Sequence, residues 1–361
     1  MRALIGTRKG LFLLEGLRGG WRLSNPSFLG VGVTNAVVDP RNGSVWALLD
    51  HGHWGPKLQV SADGGRTFEE RACPAFPEGC TFDALDEFGE RTTGPASVKR
   101  LYTLVPAGPD GGLWCGTQPG GLFRSDDGGA TWAVNDALWN LRSAHNWFEG
   151  GGGIMLHSVL VHPQDPGRIH VGVSCGGVYE TADGGASWQP RNRGVIADFL
   201  PDKYPEYGQD PHRVERSGAD PDVLWQQNHC GNYRSTDGGR TWTDVMPGHP
   251  LRVGFVIALD GSDPATAWTV PMDSDERRVA REGALVVCRS EDGGATWREL
   301  SKGLPSRHCY DLVFRHALAV REKTVVFGTT CGSVYVSEDR GEAWQRLDAW
   351  LPPVNSVHLT G

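Results

Sequence analysis

The sequence lacks any long apolar run, since no stretch approaches the roughly 18 apolar residues of a membrane-spanning helix. Its amino-terminal segment lacks the uninterrupted apolar core of a signal peptide. It also lacks a basic run, because 35 Lys and Arg residues are interspersed with 43 Asp and Glu residues, for a net charge of -8. These absences argue against membrane and nucleic-acid partners and favour a cytoplasmic protein.

Residue composition and missing motifs exclude further classes of protein. The 50 Gly and 23 Pro residues in a chain of 361 disfavour long helices, which argues against a helical bundle. The eight cysteines show no Cys-x-x-Cys spacing, which predicts mostly reduced thiols. Neither a P-loop nor a Gly-x-Gly-x-x-Gly segment after a strand is present, so we expect no nucleotide cofactor.

What the sequence does contain is an internal repeat. Six segments align without gaps on the pattern Ser/Thr-x-Asp-x-Gly-x-x followed by an aromatic residue. The aromatic residue is Phe in the first copy and Trp in the other five. The copies are Ser61–Phe68, Ser125–Trp132, Thr181–Trp188, Ser235–Trp242, Ser290–Trp297 and Ser337–Trp344, and a shortened seventh ends at Gly19-Gly20-Trp21. Asp and Gly are typical of tight turns, so we interpret the repeated Asp as an acceptor of backbone N–H groups and the Trp as a packing residue.

Each copy lies within a run of short apolar segments separated by turn residues, which predicts four strands per copy and a propeller blade. Residues 354–358 resemble a first strand without successors, and residues 2–13 resemble second and third strands without a predecessor. We therefore predict an all-β, seven-bladed β-propeller of four-stranded antiparallel blades, closed by pairing of the C-terminal strand with the N-terminal strands. It would form a single domain, residues 1–361, and a six-bladed ring with an extension is the alternative.

The repeated Ser-x-Asp-x-Gly-x-Thr-Trp pattern resembles the Asp-box, also called the bacterial neuraminidase repeat. Over its whole length the chain resembles the sialidase-like, glycosyl hydrolase-like bacterial propellers. Relatives of this kind include sialidases, other glycosidases, sortilin-like receptors and a photosystem II assembly propeller. The resemblance implies a hydrolase, but a true sialidase is not expected, because the Phe/Tyr-Arg-Ile-Pro motif is missing and sialidase rings have six blades.

Long connections indicate where a functional site would lie. Residues 69–97, 133–155, 189–211 and 271–283 are predicted to emerge on the face opposite the repeated turns, here called the top face, and long connections often carry function. Candidate catalytic residues in or near them are Asp198, Tyr204, Glu206 and Arg100. Candidate substrate-binding residues are Arg8, Lys9, His53 and Trp147.

Histidines are predicted to converge near the axis on the same face. Neutral imidazoles suit transition metals, so His157, His212, His229 and His308 are candidate ligands of a divalent ion, with Zn as the expected metal. The alternatives are that these histidines bond to turn carbonyls or perform acid–base work without metal. Cys175, Cys230 and Cys331 share one repeat position, either as small residues in a crowded turn or as thiolate ligands of a soft metal.

Two functions of different class follow. The first is a hydrolase or lyase-type enzyme that acts on a small polar substrate, with a glycoside as one candidate, at the His-rich top face. The second is a non-catalytic propeller that binds a polypeptide partner, because fold alone does not determine activity.

Overall fold

The chain forms seven four-stranded antiparallel sheets, so the protein is an all-β, seven-bladed β-propeller, as predicted. The computed structural model describes residues 1–18, 20–86, 89–108 and 111–361. Gly19 of the shortened repeat and residues 87–88 of the predicted connection 69–97 lie outside the described residues. Within the described ranges, a two-stranded hairpin and one α-helix complete the structure. This part of the chain has no helix with the length and apolarity needed to cross a bilayer.

The elements have the following bounds. The first fifteen strands are β1 Arg2–Thr7, β2 Gly10–Leu17, β3 Gly20–Leu23, β4 Gly32–Val38, β5 Val45–Asp50, β6 Pro56–Ser61, β7 Glu69–Arg71, β8 Thr81–Leu85, β9 Arg91–Pro95, β10 Arg100–Pro106, β11 Leu113–Gln118, β12 Leu122–Ser125, β13 Ala133–Val134, β14 Leu156–His162 and β15 Asp165–Val173. The others are β16 Gly177–Thr181, β17 Gln189–Pro190, β18 Pro211–Arg216, β19 Leu224–Asn228, β20 Gly231–Ser235, β21 Thr243–Asp244, β22 Gly254–Leu259, β23 Ala267–Pro271, β24 Val287–Ser290, β25 Arg298–Leu300, β26 Leu318–Arg321, β27 Thr324–Gly328, β28 Val334–Ser337, β29 Gln345–Arg346 and β30 Val354–Thr360. Helix α1 spans Asp136–Ala144, and 3-10 turns span Gly52–Trp54 and Arg281–Gly283.

Internal contacts divide the chain into two compact units, which are described separately. The first unit comprises Met1–Ala36 and His212–Gly361, and the second comprises Val37–Pro211. The chain passes between the units within β4 and at the start of β18. That residues 1–361 act as a single domain stays a prediction.

Pairing of the chain ends completes one sheet of the first unit. β30 pairs antiparallel with β1, which pairs with β2, giving the order β3-β2-β1-β30. In this register Arg2 lies opposite Thr360 and Ile5 opposite Val357. The predicted closure by the C-terminal strand is thus confirmed, and the six-bladed alternative is wrong because the terminal segments supply the seventh sheet.

Burial falls from the second strand of each sheet to the fourth. The second strands β19, β23 and β27 are buried at every residue. Two of them, β23 and β27, are mainly apolar, whereas β19 buries two glutamines and an asparagine. The fourth strands β13, β17 and β29 are two residues long and largely exposed. Very short outer strands leave few unpaired edge groups, which protects the sheets against edge-to-edge association.

The repeated Asp is an acceptor within its own turn, as predicted. In the second copy, Asp127 accepts the N–H of Thr131 at 2.9 Å and the Thr131 hydroxyl at 2.7 Å, and Ser125 donates its hydroxyl to the same carboxylate at 2.8 Å. These bonds, the Thr131 hydroxyl first, lower the pKa of Asp127 to about 2. The same arrangement lowers the pKa of Asp63 and Asp183. The carboxylates are therefore committed to holding their turns.

Tryptophans that end the repeats link neighbouring sheets within each unit. Nε1 of Trp132 donates to the Ala72 carbonyl at 2.8 Å, and Nε1 of Trp188 donates to Oδ1 of Asn135 at 3.0 Å. Nε1 of Trp297 donates to the carbonyl of Val245 at 2.9 Å. Each acceptor directly follows the outer strand of the preceding sheet, so one repeated residue type both packs and positions adjacent sheets.

Acid should unfold the protein partly by protonating these turn carboxylates. The folded-state pKa of Asp127 is about 2 against an ordinary value of 3.8, so its contribution to stability is present above about pH 4 and is lost as the pH falls towards 2. Asp127→Asn should lower the thermal midpoint at neutral pH and flatten its fall between those pH values, as measured by circular dichroism. Asp126→Asn, which removes an exposed ion pair with Arg124, is the control. Equal acid dependence of Asp127→Asn and wild type would contradict this assignment.

Two substitutions of Trp188 separate the contribution of its hydrogen bond to stability from the contribution of its ring packing. Trp188→Phe should lower the free energy of unfolding by about 1 kcal/mol through the lost N–H bond. Trp188→Ala should lower it by about 3–5 kcal/mol, because the ring is buried. Urea unfolding measures both, with Trp350→Ala as a control that should stay within about 0.5 kcal/mol, since that ring is 90% exposed. Equal losses for the two Trp188 variants would exclude a packing role.

Candidate functional site

Three of the predicted long connections pack against one another in the second unit. Residues 69–97 contribute the hairpin β8–β9, residues 133–155 contribute α1, and residues 189–211 are mostly irregular. The Leu85 N–H donates to the Trp147 carbonyl at 3.3 Å, and the Phe148 and Phe199 rings lie 6.2 Å apart. We call this set of three connections the loop layer.

Helix α1 gives the loop layer a fixed element. Asn135 begins it, since its Oδ1 accepts the N–H of Leu138 at 2.9 Å, and Asp136 favours the first turn. On the buried face, the Arg142 guanidinium lies 3.7 Å above the Trp139 ring and donates to the Asp83 carbonyl of β8 at 2.6 Å. The sequence prediction treated 133–155 as a loop and missed this helix, although Asn135-Asp136 before Leu138 is a recognisable start signal.

An aromatic cluster of His145, Trp147, Tyr179 and Tyr207 lies where the helix ends. The Tyr207 ring stacks on the His145 ring at 3.9 Å and 24°. Nδ1 of His145 is 2.9 Å from Oη of Tyr179, which also accepts the Trp147 Nε1–H at 2.8 Å. Burial lowers the pKa of His145 and raises that of Tyr179, so both groups are neutral near pH 7. The sequence prediction missed His145 and Tyr179, because nothing in the repeat brings these positions together.

The position of Trp147 does not agree with a substrate-binding role. Its side chain is 0% exposed and belongs to the core of the second unit. A Cβ built on Gly176 would lie 2.9 Å from its ring, so the indole fills the space under the turn that contains Gly176. A large apolar ring gains more by burial here than by projecting from the loop, and its N–H finds Tyr179 inside.

Three predicted catalytic residues lie together on the connection 189–211. Asp198, Tyr204 and Glu206 are all exposed, and Tyr204 is 65% exposed. Asn192 holds the segment, since its N–H is 3.4 Å from Oε1 of Glu206 and its Nδ2 donates to the Glu206 carbonyl at 2.9 Å. The structure thus places two carboxylates and an aromatic ring on one surface loop, and their catalytic roles stay predictions.

Arg100 and His53 belong to another part of the second unit. Nη2 of Arg100, the first residue of β10, donates to Oδ2 of Asp50 at 2.8 Å. His53 lies edge-on to Trp54 at 4.8 Å in the 3-10 turn after β5, and both side chains are exposed. The ion pair orients Arg100, and the sequence prediction missed its partner Asp50.

Arg8 and Lys9 lie in the first unit, at the turn between β1 and β2, and both are exposed. The Lys9 N–H donates to Oγ1 of Thr7 at 3.1 Å, and the Arg8 N–H donates to the Pro353 carbonyl at 3.0 Å. These bonds fix the backbone of the turn and leave the side chains at the surface, and their binding roles stay predictions.

The four candidate metal ligands do not form one group. His157, in the second unit, is fully buried, with Nε2 2.8 Å from the Pro211 carbonyl and Nδ1 3.0 Å from Oγ of Ser158. This arrangement supports the alternative that the histidine bonds to main-chain oxygen. His308 is exposed, with φ of 54°. Among the described residues, neither belongs to a cluster of three or more close metal-ligating groups, whereas ligand atoms of His212 and His229 lie within 4.8 Å of each other.

The repeated cysteines occupy backbone-bonded turns. The Cys175 N–H donates to Asp210 in the second unit, and the Cys331 N–H donates to Asp311 in the first, each at 3.1 Å. All eight cysteines are free thiols. A hydrogen bond to Asp311, with burial, raises the pKa of Cys331 to about 11, which keeps it a thiol. These observations support the small residue in a crowded turn over the thiolate ligand.

The stacked Tyr207 ring should control the protonation of His145. Tyr207→Ala removes the ring that covers the imidazole, so the pKa of His145 should rise towards its ordinary 6.5. NMR titration of the ring protons, assigned with His145→Gln, measures this pKa. Tyr204→Ala, from the same loop, is the control and should leave it unchanged. An unaltered His145 titration in Tyr207→Ala would show that other groups desolvate the imidazole.

Comparisons with known proteins place the chain near xyloglucan-degrading enzymes. No family model matches it. It is 26% identical over 272 residues to the oligoxyloglucan-reducing end-specific xyloglucanase of Emericella nidulans, covering 67% of this chain and 30% of that protein. The chain thus spans about a third of the length of this relative.

Solved structures agree on the fold. The GH74 enzyme of Niastella koreensis has a TM-score of 0.56 and 15% identity, with 98% of this chain and 65% of that chain covered. A structure of YCF48 bound to D1 peptide has a TM-score of 0.55 and 15% identity, with 91% and 87% covered. These two likenesses show the propeller fold alone. The chain is therefore a propeller with homologues among glycoside hydrolases, whereas membership of the sialidase repeat family is not established.

Proposed function

We propose that the protein is a glycoside hydrolase that cleaves xyloglucan or oligosaccharides derived from it. The observation that carries the proposal is the similarity to xyloglucanases across two thirds of the chain. The chain spans only about a third of the length of these relatives, so we propose that the activity resides in the loops of this chain itself. The loop layer supports the proposal, since it combines exposed aromatic rings with carboxylates in one connected surface.

Exposed tyrosines of the loop layer suit sugar rings. Tyr204 is 65% exposed and Tyr207 is 43% exposed, and both lie within the connection 189–211. Tyr207 stacks on His145, so one face of its ring is held before any ligand arrives. A rigid aromatic ring loses little conformational entropy on binding and offers a flat apolar face to the C–H groups of a pyranose. These rings would position the polysaccharide along the connection 189–211.

Two carboxyl groups are required for hydrolysis of a glycosidic bond. Asp198, Asp202 and Glu206 are the exposed carboxylates of this loop. Asp202 accepts the Tyr204 N–H at 3.0 Å, and Asn192 restricts the backbone and carboxylate of Glu206. In our proposal Glu206 donates a proton to the leaving oxygen and Asp198 provides the second carboxylate. Tyr204 positions the sugar between them, and Arg100 with His53 would bind a more distant sugar unit.

Hydrolysis of xyloglucan oligosaccharides tests the proposal directly. Wild type should release new reducing ends, and Glu206→Gln and Asp198→Asn should each lower kcat/KM by about 100-fold or more, as expected for loss of an acid or base. Glu70→Gln is the matched control, because Glu70 lies on the outer strand β7 and pairs with Lys57. Mass spectrometry identifies the bond that is cleaved.

The outcomes separate the two functional classes. Hydrolysis that persists in both carboxylate variants would show that Glu206 and Asp198 are not the catalytic carboxylates. No hydrolysis of xyloglucan or its oligosaccharides by wild type would overturn the enzymatic proposal. The polypeptide-binding alternative would then be the hypothesis that remains.

A further inference from the structure

Two histidines and an aspartate from three separate segments of the first unit lie together. His212 is the second residue of β18, His229 lies in the turn between β19 and β20, and Asp275 lies in the connection between β23 and β24. Ligand atoms of His212 and His229 lie within 4.8 Å of each other. Nε2 of His229 is 3.2 Å from Oδ2 of Asp275. The extended connection predicted at 271–283 thus brings a carboxylate to a pair of imidazoles.

The surroundings of His212 prepare one of its nitrogens for a cation. Its Nδ1 is 2.6 Å from the carbonyl oxygen of Gly254, which can only accept, so Nδ1 carries the proton. In the neutral imidazole the lone pair is then on Nε2. The ring is 3% exposed and stacks on Phe255 at 4.6 Å and 29°, which fixes its orientation. Metal-binding histidines commonly donate their other N–H to a backbone carbonyl in this way.

His229 has the other arrangement common among metal-binding histidines, in which one ring N–H donates to a carboxylate. When its Nε2–H donates to the carboxylate of Asp275, the lone pair of the neutral ring is on Nδ1, and the carboxylate increases the basicity of that nitrogen. Asp273, in the same connection, pairs instead with Arg277 at 2.7 Å. Asp275 is thus a carboxylate of this connection that pairs with His229.

We propose that His212 and His229 bind a divalent transition-metal ion, with Asp275 as the carboxylate that orients His229. Two imidazole nitrogens suit Zn²⁺ better than Mg²⁺ or Ca²⁺, which prefer oxygen ligands. Water completes the coordination, so the ion keeps an open position for a small ligand. This site is independent of the proposed glycosidase residues of the loop layer.

Metal binding to the chelator-treated full chain tests the site without an activity assay. Equilibrium dialysis against Zn²⁺ with elemental analysis should give one ion per chain. His229→Ala is the decisive variant, because its ring is partly exposed and removing it should not unfold the protein, and it should abolish stoichiometric binding. Asp275→Asn should weaken binding by about 10–100-fold, as removal of an outer carboxylate does elsewhere. His249→Ala, whose Nδ1 accepts the Leu251 N–H, is the matched control and should bind like wild type.

Cobalt substitution distinguishes imidazole from thiolate ligands. Co²⁺ should show visible d–d bands without sulfur charge-transfer absorption, and His229→Ala should lose those bands. Sulfur charge-transfer absorption would assign the ion to free cysteines such as the exposed Cys331 and overturn the proposal. Unchanged Zn²⁺ affinity in His229→Ala, or no binding by wild type, would also overturn it. Xyloglucan hydrolysis is measured separately, so either proposal can fail alone.

Discussion

Each four-stranded sheet of this chain can bury its apolar faces only against another sheet, and the rest of the structure depends on that contact. Small isolated sheets are marginal in water, because their apolar faces stay exposed. In the first unit one core joins Ile5 of β1, Val256 of β22 and Phe327 of β27. Stability therefore resides between the sheets more than within them, and a repeated Trp at the outer end of a sheet, such as Trp297, adds a hydrogen bond to the preceding one.

This constraint decides where chemistry can be placed. The repeated turns need their Asp and Ser side chains for internal hydrogen bonds, so carboxylates such as Asp63 and Asp292 are already occupied. Second strands such as β19, β23 and β27 are buried and cannot present polar groups to a large substrate. Connections longer than is needed to join two strands are neither held in a repeated turn nor buried within a sheet. The loop layer and the β23–β24 connection are such segments: the proposed hydrolytic carboxylates lie in the first, and Asp275, which approaches His229, lies in the second.

The repeat made the fold predictable, whereas the site depends on contacts that the repeat does not encode. The six Ser/Thr-x-Asp segments and the complementary chain ends were enough to predict seven sheets and the β1–β30 pairing. Helix α1, the hairpin β8–β9 and the stacking of Tyr207 on His145 were missed, because they arise where one long connection meets another. Trp147 illustrates the difficulty: as a loop aromatic it suggested a ligand contact, but the loop folds over it and makes it core.

Histidine shows most clearly why residue type alone does not assign chemistry. His157 and His212 both lie near the start of a first strand, and both approach a main-chain carbonyl. For His157 the second nitrogen is 3.0 Å from the Ser158 hydroxyl, so its ring serves the fold. For His212 a second imidazole comes within 4.8 Å, and a carboxylate orients that imidazole. A carbonyl bond that caps a strand also fixes the tautomer that a metal requires, so the same local contact can serve structure at one position and ligand binding at another.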